Sequence, residues 1–195
     1  SPIEYYDANI SGTISLLSAM QKFHCFTLIF SSSASVYEPK GFKLLKETDE
    51  IRPRTPYGKT KFFIEELLSD LFACDKNWRI ASLRFFNPIG SHKLGLLSEN
   101  SKSKSSNLFP AIIKTIMGEE EKLIIFGKDY PTYDGTCIRD FIHVMDLAEA
   151  HIAALKFLID NRPQNIALNI GTGKGTSVLE IINWLVLLFL FCLKF

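Results

Sequence analysis

A tyrosine and a lysine four residues apart are the side chains in this sequence best suited to moving a proton. Tyr57 and Lys61 follow Pro56, which is typical of a helix start, and on a helix the two share one face. An ammonium close to a phenol favours the phenolate, so the pair predicts a base. Ser33, which ends the preceding apolar run, is placed to hydrogen-bond the oxygen that Tyr57 deprotonates. These three residue types suit removal of a proton from a carbinol while hydride leaves its carbon.

The Y-x-x-x-K pattern alone is weak, because an exposed tyrosine and a solvated lysine often share a helix. Two features favour chemistry at this one. No other tyrosine among the six has a lysine four residues later. The pattern also follows a hydrophobic run, 26–30, which ends in three serines at a spacing that fits strand, loop and helix.

Hydrophobic periodicity predicts alternating helices and strands. We predict helices over about residues 4–23, 56–74, 108–117 and 146–158, and another that begins near Ser177. We predict strands over 26–30, 79–86, 123–126, 140–144 and 167–170, a turn over 87–90, and loops over 38–55, 91–107 and 127–139. This alternation indicates α/β architecture with parallel strands.

Composition describes an ordinary globular chain, with 195 residues, 47% hydrophobic and 22% charged. That length suits one good-sized domain or one and a half small ones. A net charge of +1, without a basic cluster among aromatics, argues against nucleic-acid binding. The four cysteines are far apart and form no C-x-x-C pair, so we predict neither a metal site nor a disulfide framework. No signal-peptide pattern opens the chain, and we expect a cytoplasmic protein.

Two polar features near the end of the chain have competing interpretations. The sequence G-T-G-K-G over 171–175 resembles a dinucleotide fingerprint, but its sixth position is Thr176 and no acidic residue follows about 20 positions later. We therefore favour a tight strand-to-helix turn. His143, between two apolar residues, is expected to be structural. Arg139 beside Asp140 is expected either to form an ion pair or to clamp an anion.

The final stretch, 184–195, reads W-L-V-L-L-F-L-F-C-L-K-F. Its uncharged part is too short to span a bilayer comfortably, so no membrane insertion is expected. Exposed, such a run would promote aggregation.

Four stretches carry a family resemblance: F-S-S-S-A-S-V-Y at 30–37, P-Y-G-K-T-K at 56–61, L-R-F-F-N-P-I-G at 83–90 and G-K-D-Y-P-T-Y-D-G-T-C-I-R-D-F-I-H-V-M-D-L-A at 127–148. Together they resemble the UDP-glucose 4-epimerase (UDP-galactose 4-epimerase) family of the extended short-chain dehydrogenase/reductase superfamily. The similarity covers about residues 2–182. It implies a partial Rossmann-type parallel sheet with part of a smaller substrate-binding region.

The resemblance also divides the chain. It implies that residues 1–90 are the C-terminal part of an NAD-binding Rossmann domain. Residues 91–183 would mostly bind a UDP-sugar, with strands and helices that return to the main sheet. Residues 184–195 form a hydrophobic tail unlike the family.

Specific roles follow from matching the family's motifs. Tyr57 corresponds to the catalytic base, Lys61 to the lysine that binds the nicotinamide ribose and lowers the phenol pKa, and Ser33 to the serine at the sugar 4-oxygen. The residues implied to contact NAD are Asn9, Ser31, Ser32, Tyr57, Lys61 and Phe86. Those implied to contact the UDP-sugar are Ser33, Asn87, Asn107, Leu108, Phe126 near uracil and Arg139 on the diphosphate.

The implied reaction is transient oxidation at C4 of UDP-glucose or UDP-galactose. Tyr57 takes the 4-hydroxyl proton, hydride passes to NAD+, the 4-keto sugar rotates, and hydride returns to its other face. The parent enzymes are commonly homodimers, whereas the oligomeric state of this chain is left open.

The chain departs from the family at its start. The G-x-x-G-x-x-G turn is absent, and the first glycine, Gly12, falls inside a predicted helix. A sheet without its first strands has an unpaired edge. We therefore expect an incomplete form that alone binds NAD weakly or not at all.

Two alternatives stay open. One is a related nucleotide-sugar 4-epimerase that acts on UDP-xylose/UDP-arabinose or on N-acetylated sugars. The other is a non-catalytic chain that pairs with a complete subunit.

Overall fold

The structure, a computed structural model, describes residues 1–38, 43–95 and 108–192, with side chains up to residue 189. It divides into two compact units. The first comprises Ser1–Phe86 with Asp146–Ile170, and the second comprises Asn87–Met145 with Gly171–Phe195. The helix and strand around Ala154 and Ile166 thus belong to the first unit, although in sequence they lie between the two segments of the second.

The described residues form six α-helices and six strands. The helices are α1 (Pro2–Tyr6), α2 (Gly12–Lys22), α3 (Pro56–Cys74), α4 (Leu108–Ile116), α5 (Val144–Asp160) and α6 (Val178–Cys192). The strands are β1 (Thr27–Ser31), β2 (Arg79–Phe85), β3 (Asn87–Ile89), β4 (Ile138–His143), β5 (Asn165–Ile170) and β6 (Gly175–Ser177). Strands β2 and β3 are consecutive along the chain, as are β5 and β6. A π-helical segment, Asp7–Ser11, interrupts the helix predicted over 4–23.

The first unit contains a parallel sheet in the order β1-β2-β5. Successive residues of a strand point to opposite faces, and β2 buries both. One face packs Ile80 against Ile64 and Leu68 of α3. The other packs Leu83 against Leu158 of α5. This three-layer arrangement confirms the predicted α/β class with a Rossmann-type parallel sheet.

The helix that carries the tyrosine and lysine begins where the sequence predicts. Thr55 caps it, since its hydroxyl accepts from the Gly58 amide at 3.0 Å, and Pro56 occupies the first position. A proline there sacrifices no hydrogen bond, because the first amides of a helix have no partner within it. The cap fixes where the helix begins and therefore places Tyr57 in its first turn.

The second unit contains a smaller sheet in the order β3-β4-β6. Here β3 is parallel to β4, but β6 is antiparallel to it. Two short strands were not predicted: the expected turn over 87–90 begins with β3, and β6 precedes α6. Three residues are too few to show a period of two.

The strand predicted over 123–126 is wrong, because that segment forms no regular structure. Ile124 and Phe126 are exposed there, and none of the strands in the described residues pairs with this segment. The run is apolar enough for a strand, but no described strand pairs with it. Whether such a partner strand exists cannot be predicted from the sequence alone.

Helix α6 begins with a capping box. The Ser177 hydroxyl accepts from the Glu180 amide at 3.1 Å, and the Glu180 carboxylate accepts from the Ser177 amide at 2.9 Å. The helix continues through residue 184, where we predicted the tail to start, and exposes Trp184 and Leu188. None of the helices in the described ranges is long and apolar enough to cross a membrane.

Candidate active site

Ser33, Tyr57 and Lys61 lie together in the first unit. Tyr57 is in the first turn of α3, and the Lys61 ammonium lies 5.5 Å from the centre of its ring. The Ser33 hydroxyl accepts from the amide and hydroxyl of Ser35, at 3.2 and 3.0 Å. Its own O–H is therefore free to donate, and the hydroxyl lies close enough to the Tyr57 phenol to lower its pKa. The structure thus brings the three predicted side chains into one cluster.

The Lys61 ammonium is held by the chain at one point. It donates to the Ser31 carbonyl at 3.0 Å and lies 5.1 Å from the centre of the Phe30 ring. Burial lowers the pKa of Lys61. Within the described residues it has no carboxylate partner. An ammonium has three donors, so Lys61 keeps others for the hydroxyls of a ligand.

The pKa of Tyr57 differs from the sequence-based expectation. Burial raises it above the ordinary value, the Ser33 hydroxyl partly offsets that effect, and Tyr5 adds to it. Lys61 contributes no lowering of the Tyr57 pKa in this structure, where its ammonium lies 5.5 Å from the ring centre and donates to the Ser31 carbonyl. Tyr57 is consequently a neutral phenol at neutral pH in this structure.

Asn9, in the π-helical segment, is hydrogen-bonded to α3, the helix that carries Tyr57 and Lys61. Its side-chain amide donates to the Thr60 hydroxyl at 2.8 Å, and that hydroxyl donates to the Tyr57 carbonyl at 2.8 Å. Thr60 is fully buried. Such π-helical turns are frequent at functional sites. Contact between Asn9 and a cofactor stays a prediction.

The three serines after Phe30 differ in what they can contact. The Ser31 side chain is exposed, and its hydroxyl lies 3.0 Å from His151 Nε2. His151 Nδ1 lies 2.8 Å from the Leu147 carbonyl oxygen, which can only accept, so Nδ1 carries the proton. Nε2 of the neutral ring therefore accepts from the Ser31 hydroxyl. Ser32 is fully buried and donates to Glu65. The cofactor contact predicted for Ser32 stays a prediction, and its hydroxyl is already engaged by Glu65 in the core.

Gly58 is a site residue that the sequence analysis did not single out. A Cβ at Gly58 would lie 2.4 Å from the Ser35 carbonyl oxygen, a distance that no side chain tolerates. Glycine therefore lets α3 approach the segment that carries Ser33. The signal was available, since a glycine directly after the proposed catalytic tyrosine suggests close backbone approach.

Arg139 is exposed on β4 in the second unit. Of the two interpretations of Arg139, the ion pair with Asp140 is not observed. The Asp140 carboxylate accepts instead from the Thr172 amide and hydroxyl at 2.9 and 2.6 Å, and from the Gly173 amide at 2.8 Å. Arg139 forms no ion pair with any residue that the structure describes.

The same contacts explain the glycine loop over 171–175. Its amides form the kind of concavity that could bind an anion, but two of them already bind the Asp140 carboxylate. The loop leads into β6 rather than directly into a helix. The interpretation as a tight turn therefore agrees with the structure.

Other predicted residues are placed without a test of their roles. Asn87 is exposed at the start of β3, Leu108 is half-buried at the start of α4, and Phe126 is 81% exposed. In the first unit, the Phe86 amide donates to the Ile170 carbonyl at 3.0 Å. Asn107 lies outside the described residues.

His143 and the cysteines fit structural roles. His143 Nδ1 accepts from the Met145 amide at 3.2 Å. Cys25, Cys74 and Cys137 are free. Across the described ranges, no group of three or more His, Cys, Asp or Glu residues is arranged to hold a metal ion.

The fold and the cluster place the chain among Rossmann-type α/β proteins with a Ser-Tyr-Lys site. A family-level comparison matches residues 1–171, and the chain belongs to the NAD dependent epimerase/dehydratase family.

Individual relatives of the chain are also named epimerases. UDP-glucose 4-epimerase 4 of Oryza sativa is 48% identical over 183 residues, which cover 93% of this chain and 49% of the relative. The bifunctional UDP-glucose 4-epimerase and UDP-xylose 4-epimerase 3 of Arabidopsis thaliana is 45% identical over 184 residues, covering 94% and 52%. The chain spans about half the length of the curated relatives it matches.

Solved structures are similar as well. A UDP-glucose 4-epimerase from Stenotrophomonas maltophila, with bound NAD and formylated UDP-arabinopyranose, is 48% identical with a TM-score of 0.89, covering 93% of this chain and 54% of that one. The enzyme from Bifidobacterium longum, in complex with NAD+ and UDP, is 44% identical with a TM-score of 0.86 and the same coverage.

Proposed function

We propose that this chain provides the proton-transfer site for NAD-dependent epimerisation at C4 of UDP-glucose and UDP-galactose. The observation that carries the proposal is the cluster of Ser33, Tyr57 and Lys61 at the carboxyl end of β1. Relatives named UDP-glucose 4-epimerase, at 45–48% identity, support the choice of substrate.

The cluster fits the nicotinamide end of NAD. Ligands of parallel α/β sheets bind beyond the carboxyl ends of the strands, where Ser31 and Ser33 lie. Lys61 offers donors there that no described carboxylate occupies. Tyr57, Lys61 and Ser31 would hold this end of the cofactor, which supplies the hydride acceptor and donor when bound.

In the proposed reaction, Ser33 and Tyr57 both act on the sugar 4-hydroxyl. Ser33 donates a hydrogen bond that orients the oxygen, and Tyr57 takes its proton while the C4 hydrogen leaves as hydride. The resulting 4-keto sugar rotates, hydride returns to the other face, and Tyr57 gives the proton back. Because burial raises the pKa of Tyr57, the phenol needs a nearby positive charge to act as a base at neutral pH. In the proposed reaction Lys61 would supply that charge, although in this structure its ammonium donates to the Ser31 carbonyl and does not lower the pKa of Tyr57.

For the UDP part of the substrate we propose residues of the second unit. The exposed guanidinium of Arg139 suits a diphosphate, and the exposed Phe126 ring suits stacking against uracil. Asn87, Asn107 and Leu108 complete this set through the resemblance alone.

A pentose substrate is the second candidate. The Arabidopsis relative and one from Pisum sativum are named bifunctional UDP-glucose and UDP-xylose 4-epimerases, at 45% and 44% identity. Parallel assays with UDP-galactose and UDP-xylose decide between hexose-only and dual action.

We also propose a cytoplasmic homodimer, as the resemblance implies. Apolar side chains exposed on α1 and α3, such as Ile3 and Phe63, support self-association. Light scattering of the purified chain tests the dimer, since a monomer at all concentrations would contradict it.

Titration calorimetry with NAD tests the proposed function. We expect weak binding by the wild-type chain, and its loss in Lys61→Met because the ribose donors are removed. Lys59→Met, which alters an exposed lysine on the same helix, serves as the control and should bind like the wild type. Equal binding by Lys61→Met would contradict the assignment. If the wild-type chain gives no binding at all, the non-catalytic alternative is favoured instead.

A further inference from the structure

A buried ion pair lies next to the serine segment. Glu65 of α3 and Arg84 of β2 have side chains only 7% and 6% exposed. Arg84 donates to Glu65 three times, at 2.6, 3.1 and 3.1 Å. The catalytic scheme above does not use either residue.

Glu65 is joined to one end of the serine segment. Its carboxylate accepts from the hydroxyl of Ser32, the residue immediately before Ser33. Glu65 is also one helical turn beyond Lys61, on the helix that carries Tyr57. A single carboxylate therefore connects the segment with the serine to the helix with the tyrosine and lysine.

Arg84 is joined to the other end of the segment. It donates to the Tyr37 hydroxyl at 2.8 Å, and Tyr37 donates to Asn169 Oδ1 of β5 at 2.7 Å. Tyr37 is 3% exposed, so this contact is also inside the protein. The segment 32–37, with Ser33 within it, is thus held at both ends by the two members of one ion pair.

Stability alone does not account for such a pair. Removing two charges from water is costly, and apolar side chains of similar volume often stabilise a core equally well. An ion pair that also binds both ends of a neighbouring segment fixes that segment's position relative to α3. The close approach of Gly58 to the Ser35 carbonyl shows how little space separates the two.

We propose that Glu65 and Arg84 are positioning residues that hold the segment 32–37 against α3, so that the Ser33 hydroxyl stays beside the Tyr57 phenol. The inference deepens the proposed function and rests on it, because it assigns a means of aligning the same site. Neither residue touches the reacting atoms; each acts through Ser32 or Tyr37.

The test removes one anchor at a time and observes Tyr57 directly. Ser32→Ala deletes the contact to Glu65, and Tyr37→Phe deletes the contact to Arg84, while the ion pair stays in place. The full chain is labelled with tyrosine carrying 13C at Cζ, Tyr57→Phe assigns its signal, and NMR follows the titration. Because the nearby Ser33 hydroxyl lowers the pKa of Tyr57, both variants should move that hydroxyl away and shift the titration of Tyr57 to higher pH.

Ser69→Ala is the matched control. Its hydroxyl lies on α3 one turn beyond Glu65, accepts from Asn165 Nδ2 at 3.0 Å and donates to the Glu65 carbonyl, without touching the carboxylate. We expect the Tyr57 titration to be unchanged in Ser69→Ala, even if the melting temperature falls.

Three results would overturn the proposal: an unchanged titration in Ser32→Ala, an unchanged titration in Tyr37→Phe, or an equal shift in Ser69→Ala. If one anchor variant does not fold, the other still decides. The titration needs neither NAD nor a UDP-sugar. Failure of NAD binding would therefore count against the proposed function and leave this result standing.

Discussion

The candidate site residues of the two units differ in how far they are buried. In the first unit, Ser33, Tyr57 and Lys61 are half-buried, and the Ser33 and Lys61 side chains are hydrogen-bonded to their own chain. In the second, Arg139 and Phe126 are exposed, and the nearby Asp140 carboxylate is engaged in a turn. Under the proposed function, partners within the chain would position the proton-transfer residues of the first unit, whereas the proposed substrate residues of the second unit are exposed. Buried partners fix side chains in advance, which is the basis of pre-organised catalysis.

The largest contrast is expected between two arginines. Arg84→Met leaves the buried Glu65 carboxylate without its partner, and should lower the free energy of unfolding by about 3–5 kcal/mol. Arg139→Met removes an exposed guanidinium without an ion pair in the described structure, and should change it by less than about 0.5 kcal/mol. Urea unfolding measures both variants. Similar losses in the free energy of unfolding for the two variants would contradict the claim that Arg84 is a buried ion-pair partner and Arg139 an exposed side chain.

A smaller effect is expected at Gly58. In Gly58→Ala the new Cβ meets the Ser35 carbonyl, so α3 or the serine segment must shift, at about 1–3 kcal/mol. Gly12→Ala is the control, because nothing lies within 4 Å of its Cβ position. That helical substitution should stabilise the chain by about 0.5–1 kcal/mol. Thermal unfolding that shows no loss in Gly58→Ala would refute the close approach.

The turn of the second unit should be less sensitive. Asp140→Asn keeps one acceptor oxygen but loses the charge and one of the contacts to Thr172 and Gly173, which should cost about 1 kcal/mol. Hydrogen exchange at the Gly173 amide should then become faster. Unchanged exchange would mean that the carboxylate does not organise the loop.

The smallest predicted effect is a pH dependence in the first unit. The folded pKa of Tyr57 is raised, so its contribution to stability is complete below the unfolded value of about 10 and is lost as pH rises through the folded pKa. The wild-type chain should therefore lose more stability than Tyr57→Phe across that window. Parallel urea titrations of the two proteins measure the difference, and identical slopes would disprove the raised pKa.

Local signals account for what the sequence predicted well. The helix from Pro56 was predictable because a capping threonine, a proline and an apolar stripe coincide. Strands β1 and β2 were predictable because both coincide with runs rich in apolar residues. By contrast, β6 depends on an antiparallel partner about 40 residues away, and the run over 123–126 lacks any partner in the described structure.

The site was predictable to the level of residue type and no further. Motif spacing identified Ser33, Tyr57 and Lys61, but it could not show which hydroxyl of the three serines faces inward. Nor could it show that the Lys61 ammonium donates to a carbonyl, a contact between residues 30 positions apart. The buried pair of Glu65 and Arg84 was also invisible, since two charged residues in apolar elements look like surface positions.

The most direct test of the account is conversion of UDP-galactose to UDP-glucose by the purified chain with NAD in large excess. Wild-type protein and Tyr57→Phe are compared, with Tyr6→Phe as a control for loss of an exposed phenol. We predict conversion by the wild type and the control, and a fall of about 10²-fold or more in Tyr57→Phe. Conversion by Tyr57→Phe at the wild-type rate, or by none of the three proteins, would contradict the claim that this cluster transfers the proton.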